Sequence, residues 1–415
     1  VASFIAAISL AFGADPMATK YSFANCQGSL IPYPVDINPA VTPDSLTPIF
    51  INHVGRHGSR YPASSASCMK LKRALATADS LGTITPLGRK LDKLNNRVIE
   101  LSANRWGALD SLGMAEQRSI ASRMFNNFRE VLGGEASVTA ISSYSPRSMM
   151  SMFSFVHQLD RMNNKLSFVT STGRSNSKLM RPFDIDNDYL EFKEDGEWHD
   201  AYDTYFQGFC PITAITRALG RDFPFGDSDN ARDLAITEYY VIAGLSAMEV
   251  NISLSEYFTN DEINALWSCF NLRQYLQRTA TTLSSVPADI ASPLVLNIIS
   301  TFDDVVDGNS SAGACLRFGH AETLMPLLSL LKINGCYYKT NYFDTVAQHW
   351  RDFEVVPMAA NVQIILFKAK RSGRYYVRFD LNEKPVPLIE GSKTIYTPWK
   401  SARQYMLSQV PLYAQ

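Results

Sequence analysis

What most constrains this chain is a change of period along it: short apolar runs that read as strands alternate with stretches whose apolar residues recur every three or four positions. Residues 48–54 (Pro-Ile-Phe-Ile-Asn-His-Val) form an apolar run that ends at a glycine-containing loop, and 138–143 and 166–170 repeat the pattern. Around them, 110–132 sets Ile120, Met124, Phe128 and Val131 on one helical face, and 147–161 reads as a second helix. Strands separated by helices are the pattern of βαβ units, so the expected fold class is α/β, with a mainly parallel sheet flanked by helices. From 173 to 287 the strand signals fade into helices and aromatic-rich loops carrying Trp198, Tyr202, Tyr205, Phe206 and Phe209, which reads as an inserted, mainly helical cap. The strand pattern returns at 314–318, 362–367 and 375–379, the last two joined at Ser372-Gly373 as a hairpin. The expected organisation is an α/β core of residues 20–172 and 288–415 around a cap of 173–287, with 65–105 as candidate extra helices of that cap. A chain of 415 residues, 46% of them hydrophobic, is long enough for this plan.

Residues 1–13 are apolar and small and read as the remnant of an export signal ending before Ala14, which implies a secreted or periplasmic protein. The run is too short to span a bilayer comfortably and no other stretch reads as transmembrane, so no stable membrane insertion is expected. Six cysteines, at 26, 68, 210, 269, 315 and 336, are an even number that permits disulfides in an exported chain, with the pairing left open and buried free thiols as the alternative. None has the CxxC spacing of a zinc site. Lys and Arg total 39 against 40 Asp and Glu, so the net charge of -1 excludes a global attraction to nucleic acid. An anionic ligand must therefore be held by a local cluster of cations.

Such a cluster is visible in three loops that follow three strands: Arg56, His57 and Arg60 after the first, Arg147 after the second, His320 and Glu322 after the third. In open α/β sheets ligands bind beyond the carboxyl ends of strands, so these groups are expected to converge. Guanidinium forks grip phosphoryl oxygens in pairs. Gly55 and Gly58 are expected to let the backbone pass close to the ligand. His57 would attack phosphorus with a neutral ring nitrogen while its other nitrogen donates to a backbone carbonyl, and Glu322 would protonate the leaving oxygen. The carboxyl must then be protonated at the working pH, and a mildly acidic optimum follows. Pro326 is tolerated only in a helix's first turn, which places the start of that helix near Glu322.

The segment Arg56-His57-Gly58-Ser59-Arg60-Tyr61-Pro62 resembles the RHGxRxP motif of the histidine acid phosphatases (branch 2), and His320-Ala321-Glu322 resembles the His-Ala-Glu variant of the multiple inositol-polyphosphate phosphatases. Leu112-Gly113 through Gln117, Ser145-Pro146-Arg147, and Asn382 to Pro387 resemble further segments of the family, so the likeness spans about residues 45–390. It implies a phosphoglycerate-mutase-like core with a helical cap, His57 as nucleophile, Glu322 as proton donor, and Arg56, Arg60, Arg147 and His320 as phosphate ligands. It also implies inositol polyphosphates such as phytate as the substrate class. Arg174, Lys178 and Arg181, spaced to share a helical face, are candidates for the outer phosphates, against a solvated basic face as the plain alternative. Lys70, Lys72 and Arg73 are weaker candidates.

Other residues have plainer readings. His53 and His57 mimic a metal pair, but a strand and loop do not align positions i and i+4, so His53 is read as support for the loop. Ser59 lacks the surroundings of a nucleophile and is read as a hydrogen-bond donor. The aromatic residues from 198 to 209 are read as cap core. No metal or other cofactor is expected, because the arginines supply the positive charge. A mutase or bisphosphoglycerate phosphatase on the same fold, and a non-catalytic anion-binding protein, are the competing functions. No feature specifies an oligomeric state.

Overall fold

The computed structural model describes residues 20–38 and 40–411, so the apolar residues 1–13 lie outside the described part of the chain. Its centre is one eight-stranded sheet: β1 (Leu46–Arg56), β2 (Ala136–Ser142), β3 (Leu166–Thr172), β4 (Ala312–Gly319), β5 (Asn361–Ala369), β6 (Tyr375–Leu381), β7 (Lys384–Val386) and β8 (Thr397–Pro398). The order is β3-β2-β4-β1-β5-β6-β7, with β8 paired to β6. β3, β2, β4 and β1 are mutually parallel, whereas β5, β6, β7 and β8 join by antiparallel pairing. The sheet is therefore mixed rather than mainly parallel. The expected hairpin at Ser372-Gly373 forms, with Gly373 at φ +66°, and sets β6 antiparallel to β5, while β5 itself runs antiparallel to β1.

Both faces of the sheet are covered. The helices Ser111–Asn127 and Pro146–Met162 pack on one face, where Ile120, Met124, Phe155 and Leu159 meet Ile51, Val138 and Leu316. The first of them stops at Asn127, short of the expected 132, because Phe128 leaves helical geometry at φ -129° and ψ 48°. Helices Ser292–Val306 and Trp399–Gln409 serve the other face, where Phe302 stands edge-on to Phe50 with ring centroids 5.6 Å apart. The helices within 173–287 pack against each other and against Ala66–Ser80 and Pro86–Ser102. Trp198 and Tyr205 are buried there, with Tyr202, Phe206 and Phe209 packed around them. No helix among the described residues is long and apolar enough to cross a membrane.

The six cysteines are all free, and only Cys315 is not fully buried. The disulfides expected of an exported chain are thus not formed, and the thiols sit in apolar packing as small hydrophobic groups.

Among the cap helices, Ser228–Ala243 carries Glu238, which is fully buried with neither carboxyl oxygen hydrogen-bonded. Burial pushes its pKa up to about 8, with Arg217 opposing and Glu262 adding to the rise. An unfolded glutamate titrates near pH ~4.3. The folded pKa is the raised one, so the stability linked to this proton is complete below ~4.3 and is lost as pH rises from there through the folded value. The wild-type unfolding free energy is expected to fall by up to about 1.4 kcal/mol per pH unit across that window on account of this group. Denaturant titrations at pH 5 and pH 8 check this: Glu238→Gln should lose that part of the slope, and an identical pH dependence in both proteins would contradict it.

Candidate active site

β1 and β4 pair in parallel register up to Arg56 opposite Gly319, and β2 reaches Ser142 opposite Phe318, so all three strands end at one edge of the sheet. The loops that follow bring together Arg56, His57 and Arg60, then Arg147, then Glu322, around a cavity of about 350 Å³. This volume lies in the range of small-molecule sites. The convergence expected from three separate loops is present.

His57 is buried and tied from several sides. Its N–H donates to Gly319 O (3.1 Å) and its carbonyl accepts from Ala359 N (3.0 Å). Ring atom Nδ1 lies 2.9 Å from Gly58 O. A carbonyl oxygen only accepts, so Nδ1 carries the proton and Nε2 keeps a free lone pair. Burial first, then Arg56, Arg147, Arg60 and His320, hold the imidazole well below its ordinary pKa, and the ring is neutral.

The loop is held by a buried carboxylate that reading the sequence did not single out. Glu116 accepts from Ser59 N (2.7 Å), Ser59 Oγ (2.8 Å) and Tyr33 N (2.8 Å). Ser59 therefore donates a hydrogen bond, as read from the sequence. The next residue, Gln117, donates from Nε2 to Arg56 O (2.9 Å). The two glycines act differently from expectation. A Cβ on Gly58 would come 2.4 Å from Gly113 O, and one on Gly55 would come 2.7 Å from the His53 ring, so they admit a neighbouring helix and a buried imidazole rather than a ligand. His53 packs against Phe155 and Phe318, and burial followed by Arg317 lowers its pKa to about 3.

The arginines are short of partners. Arg56 donates through Nη1 to Ser29 O (2.6 Å) and to Val356 O, and Arg60 donates to Tyr61 O (2.8 Å). The Nε–H groups of Arg56, Arg60 and Arg147 are buried without any acceptor. Burial pushes all three guanidiniums below their ordinary range; for Arg60 the neighbouring Arg147 and Arg56 add to this. Buried donors without acceptors are costly, by roughly 1–3 kcal/mol each, and charged ones by more. An anion with several oxygens supplies what this cluster lacks.

His320 is the N-cap of the helix Ala321–Leu330, so that helix begins one residue before Glu322, near the expected start, but Pro326 lies inside it, past the first turn. The His320 ring stands edge-on to His57 at 5.5 Å. Its Nε2 lies 2.8 Å from Arg181 Nη1 and 2.9 Å from Ser143 Oγ. A guanidinium only donates, so this nitrogen is unprotonated. Glu322 lines the cavity and pairs with Arg278 Nη2 at 3.2 Å. Burial raises its pKa, but Arg278, His320, a backbone N–H and Arg56 outweigh burial and hold the carboxyl well below the ordinary range.

The single helical face expected of Arg174, Lys178 and Arg181 is interrupted. A 3-10 turn at Arg174–Asn176 and a short helix at Ser177–Met180 end at Arg181, which leaves helical geometry at φ -144° and ψ 48°. Arg174 and Arg181 still meet at the Tyr144 ring, 4.6 and 4.8 Å from its centroid. Arg181 reaches His320, Arg174 stacks exposed on Tyr144, and Lys178 is exposed. Lys70 is engaged with Asp233, while Lys72 and Arg73 are exposed. The cap instead contributes Arg273 and Gln274 to the cavity, with Arg278 just beyond, all from the last turns of the helix Asn260–Arg278. Their signal in the sequence is two arginines, Arg273 and Arg278, near the end of a helix whose other charges, Asp261 and Glu262, lie in its first turn.

Comparison with known proteins adds to this geometry. The model of a family described as histidine phosphatase superfamily (branch 2) matches residues 49–382. Multiple inositol polyphosphate phosphatase 1 of Gallus gallus is 23% identical over 411 residues, covering 91% of this chain and 87% of that protein. Among solved structures, the apo multiple inositol polyphosphate phosphatase of Bifidobacterium longum superposes with a TM-score of 0.79 at 17% identity, over 94% of this chain and 99% of that one. The same enzyme in complex with inositol hexasulfate gives 0.76 at 18% identity with the same coverage. The phytase of D. castellii gives 0.70 at 16% identity, over 94% and 86% of the two chains.

The unfilled arginine donors make a direct forecast. Inorganic phosphate should raise the melting temperature, with about 2.7 kcal/mol of added stability at a hundred times its dissociation constant. Arg60→Ala and Arg147→Ala should shrink that rise in a thermal-shift titration, with chloride at equal ionic strength as the control. A wild type that responds equally to both anions would count against an anion site.

Proposed function

The chain belongs to the histidine phosphatase superfamily, branch 2, and from that premise we propose that it is a phosphomonoesterase acting on inositol polyphosphates such as phytate through a covalent phosphohistidine. The observation that carries the reading is the neutral, lone-pair-bearing Nε2 of His57 set among arginines whose buried N–H groups have no acceptor. The names of the chicken and B. longum relatives and the inositol hexasulfate bound by the latter support the substrate class.

In the first step His57 Nε2 forms a bond to phosphorus, the bond from phosphorus to the ester oxygen breaks, and the departing oxygen takes a proton from Glu322. In the second, water attacks the phosphohistidine and gives a proton back to Glu322, and the N–P bond breaks to free His57 and inorganic phosphate. Arg56, Arg60 and Arg147, with His320 as a further ligand, neutralise the charge on the transferring oxygens. Arg181, bonded to His320, belongs with this inner group rather than with the outer phosphates. For the outer phosphates the reading rests on Arg273, the cap's cationic contribution to the cavity wall, in place of Arg174 and Lys178. We take 173–287 with 65–105 as the cap over a core of 20–172 and 288–415. Export to a secreted or periplasmic location rests on the sequence of residues 1–13.

Phosphate release from phytate, an alkyl monophosphate and nitrophenyl phosphate checks these roles. His57→Ala should lose turnover on all three by roughly 10⁴-fold or more. Glu322→Ala should lose about 10²–10⁴-fold on phytate and alkyl esters while retaining most activity on nitrophenyl phosphate, whose leaving group needs no proton. Equal losses would remove the proton-donor role. Because His57 is already neutral in acid, kcat/KM should show no fall as pH drops through ~6.5, the point at which an ordinary histidine would protonate. A fall there would contradict the depressed pKa.

A further inference from the structure

Glu322 poses a chemical problem: the group proposed to donate a proton is held ionised by the charges around it. The charges around it come from every side. Arg278 approaches from the cap helix Asn260–Arg278, Arg56 and Arg60 from the end of β1 and its loop, and Arg147 from the start of Pro146–Met162; the neutral ring of His320, on the turn that carries Glu322 itself, and the phenol of Tyr189 are close by. Arg56, Arg60 and Arg147 line the cavity where the transferring phosphate is proposed to sit, and that dianion offsets them. Arg278 is different. It does not line that cavity, and it is the guanidinium that pairs directly with the Glu322 carboxylate, at 3.2 Å.

Arg278 is also incompletely used. Its Nη1 donates to Gln274 and Gln277, its Nη2 donates to Glu322, and its Nε–H is buried with no acceptor. A basic residue in the last turn of a helix is explained by the helix dipole alone. The dipole does not explain a side chain that reaches the Glu322 carboxylate with one donor left without an acceptor. An inositol polyphosphate carries a second phosphate on the carbon next to the scissile ester, and Arg273 and Gln274 on the same helix already face the cavity.

We propose that Arg278 is a positioning residue that couples the cap to the proton donor: it holds Glu322 in the empty site, and a phosphate adjacent to the scissile ester draws it away and leaves the carboxyl free to become protonated. This deepens the reading of the site as an inositol polyphosphate phosphatase and rests on it. The consequence is selectivity in kcat rather than in binding alone. An ester without a neighbouring phosphate leaves Arg278 on Glu322, so the acid stays ionised at pH values where a polyphosphate would already have it protonated.

The test is the pH profile of kcat for phytate and for glycerol 2-phosphate, in wild type and in Arg278→Gln, Arg278→Met and Arg278→Lys. In wild type the alkaline limb for phytate should lie above that for glycerol phosphate by roughly one pH unit, the lower end of what an adjacent opposite charge does to a carboxyl. Removing the charge should move the glycerol phosphate limb up by a similar amount and close the gap, while lysine should keep it. Substrate ionisation is the same in every variant, so it does not close the gap. A gap that persists in both charge-removing variants overturns the proposal, as does a wild type with no gap, a comparison that depends on no variant folding. A wild type that turns over neither ester overturns the reading of the site itself, which is a different result from turnover with an unchanged gap.

Discussion

The rest of the structure is arranged around an excess of buried positive charge that the protein does not neutralise. Arg56, Arg60 and Arg147 crowd one cavity, each with an Nε–H that meets no acceptor, and Glu322 is the carboxylate on the cavity wall facing them. Such a cluster repels itself and loses hydration, so it persists only where the surrounding fold over-determines each member. The parallel half of the sheet does this by ending three strands together. Burial, with the same charges adding to it, keeps the His57 imidazole neutral, so the feature proposed to bind the phosphate also helps to prepare the proposed nucleophile.

Support for that arrangement comes from packing behind the loop. Glu116 collects three hydrogen bonds from Ser59 and Tyr33, and Gln117 holds the carbonyl of Arg56. Gly58 lies against Gly113 at a separation that leaves no space for a Cβ, so the helix Ser111–Asn127 presses directly on the catalytic loop. The cap is coupled to the chemistry from the other side. Arg278 meets Glu322 at the mouth of the helix that also delivers Arg273, and a change in substrate charge is thereby felt by the proton donor.

Much of this was legible in the sequence because it depends on short-range signals. The apolar runs at 48–54, 138–143 and 314–318 marked the strands, and the loops after them marked the site. What escaped was set by contacts between distant segments. Whether β5 pairs parallel or antiparallel with β1 depends on which edge of the sheet is free, and nothing in residues 361–369 states this. Arg174, Lys178 and Arg181 had helical spacing, but the chain breaks its helix between them. Arg273, Arg278 and Glu116 are single residues on helices whose periodicity says only which face is buried. Their roles appear once the cap and the sheet are brought together.

The central claim is that Nε2 of His57 becomes covalently phosphorylated during turnover. Wild-type protein mixed briefly with radiolabelled phytate, then denatured under alkaline conditions that preserve phosphohistidine, should carry label on the peptide containing His57, and His57→Ala should carry none. Phosphate release in the absence of any labelled protein, or label on a peptide that lacks His57, would contradict the account.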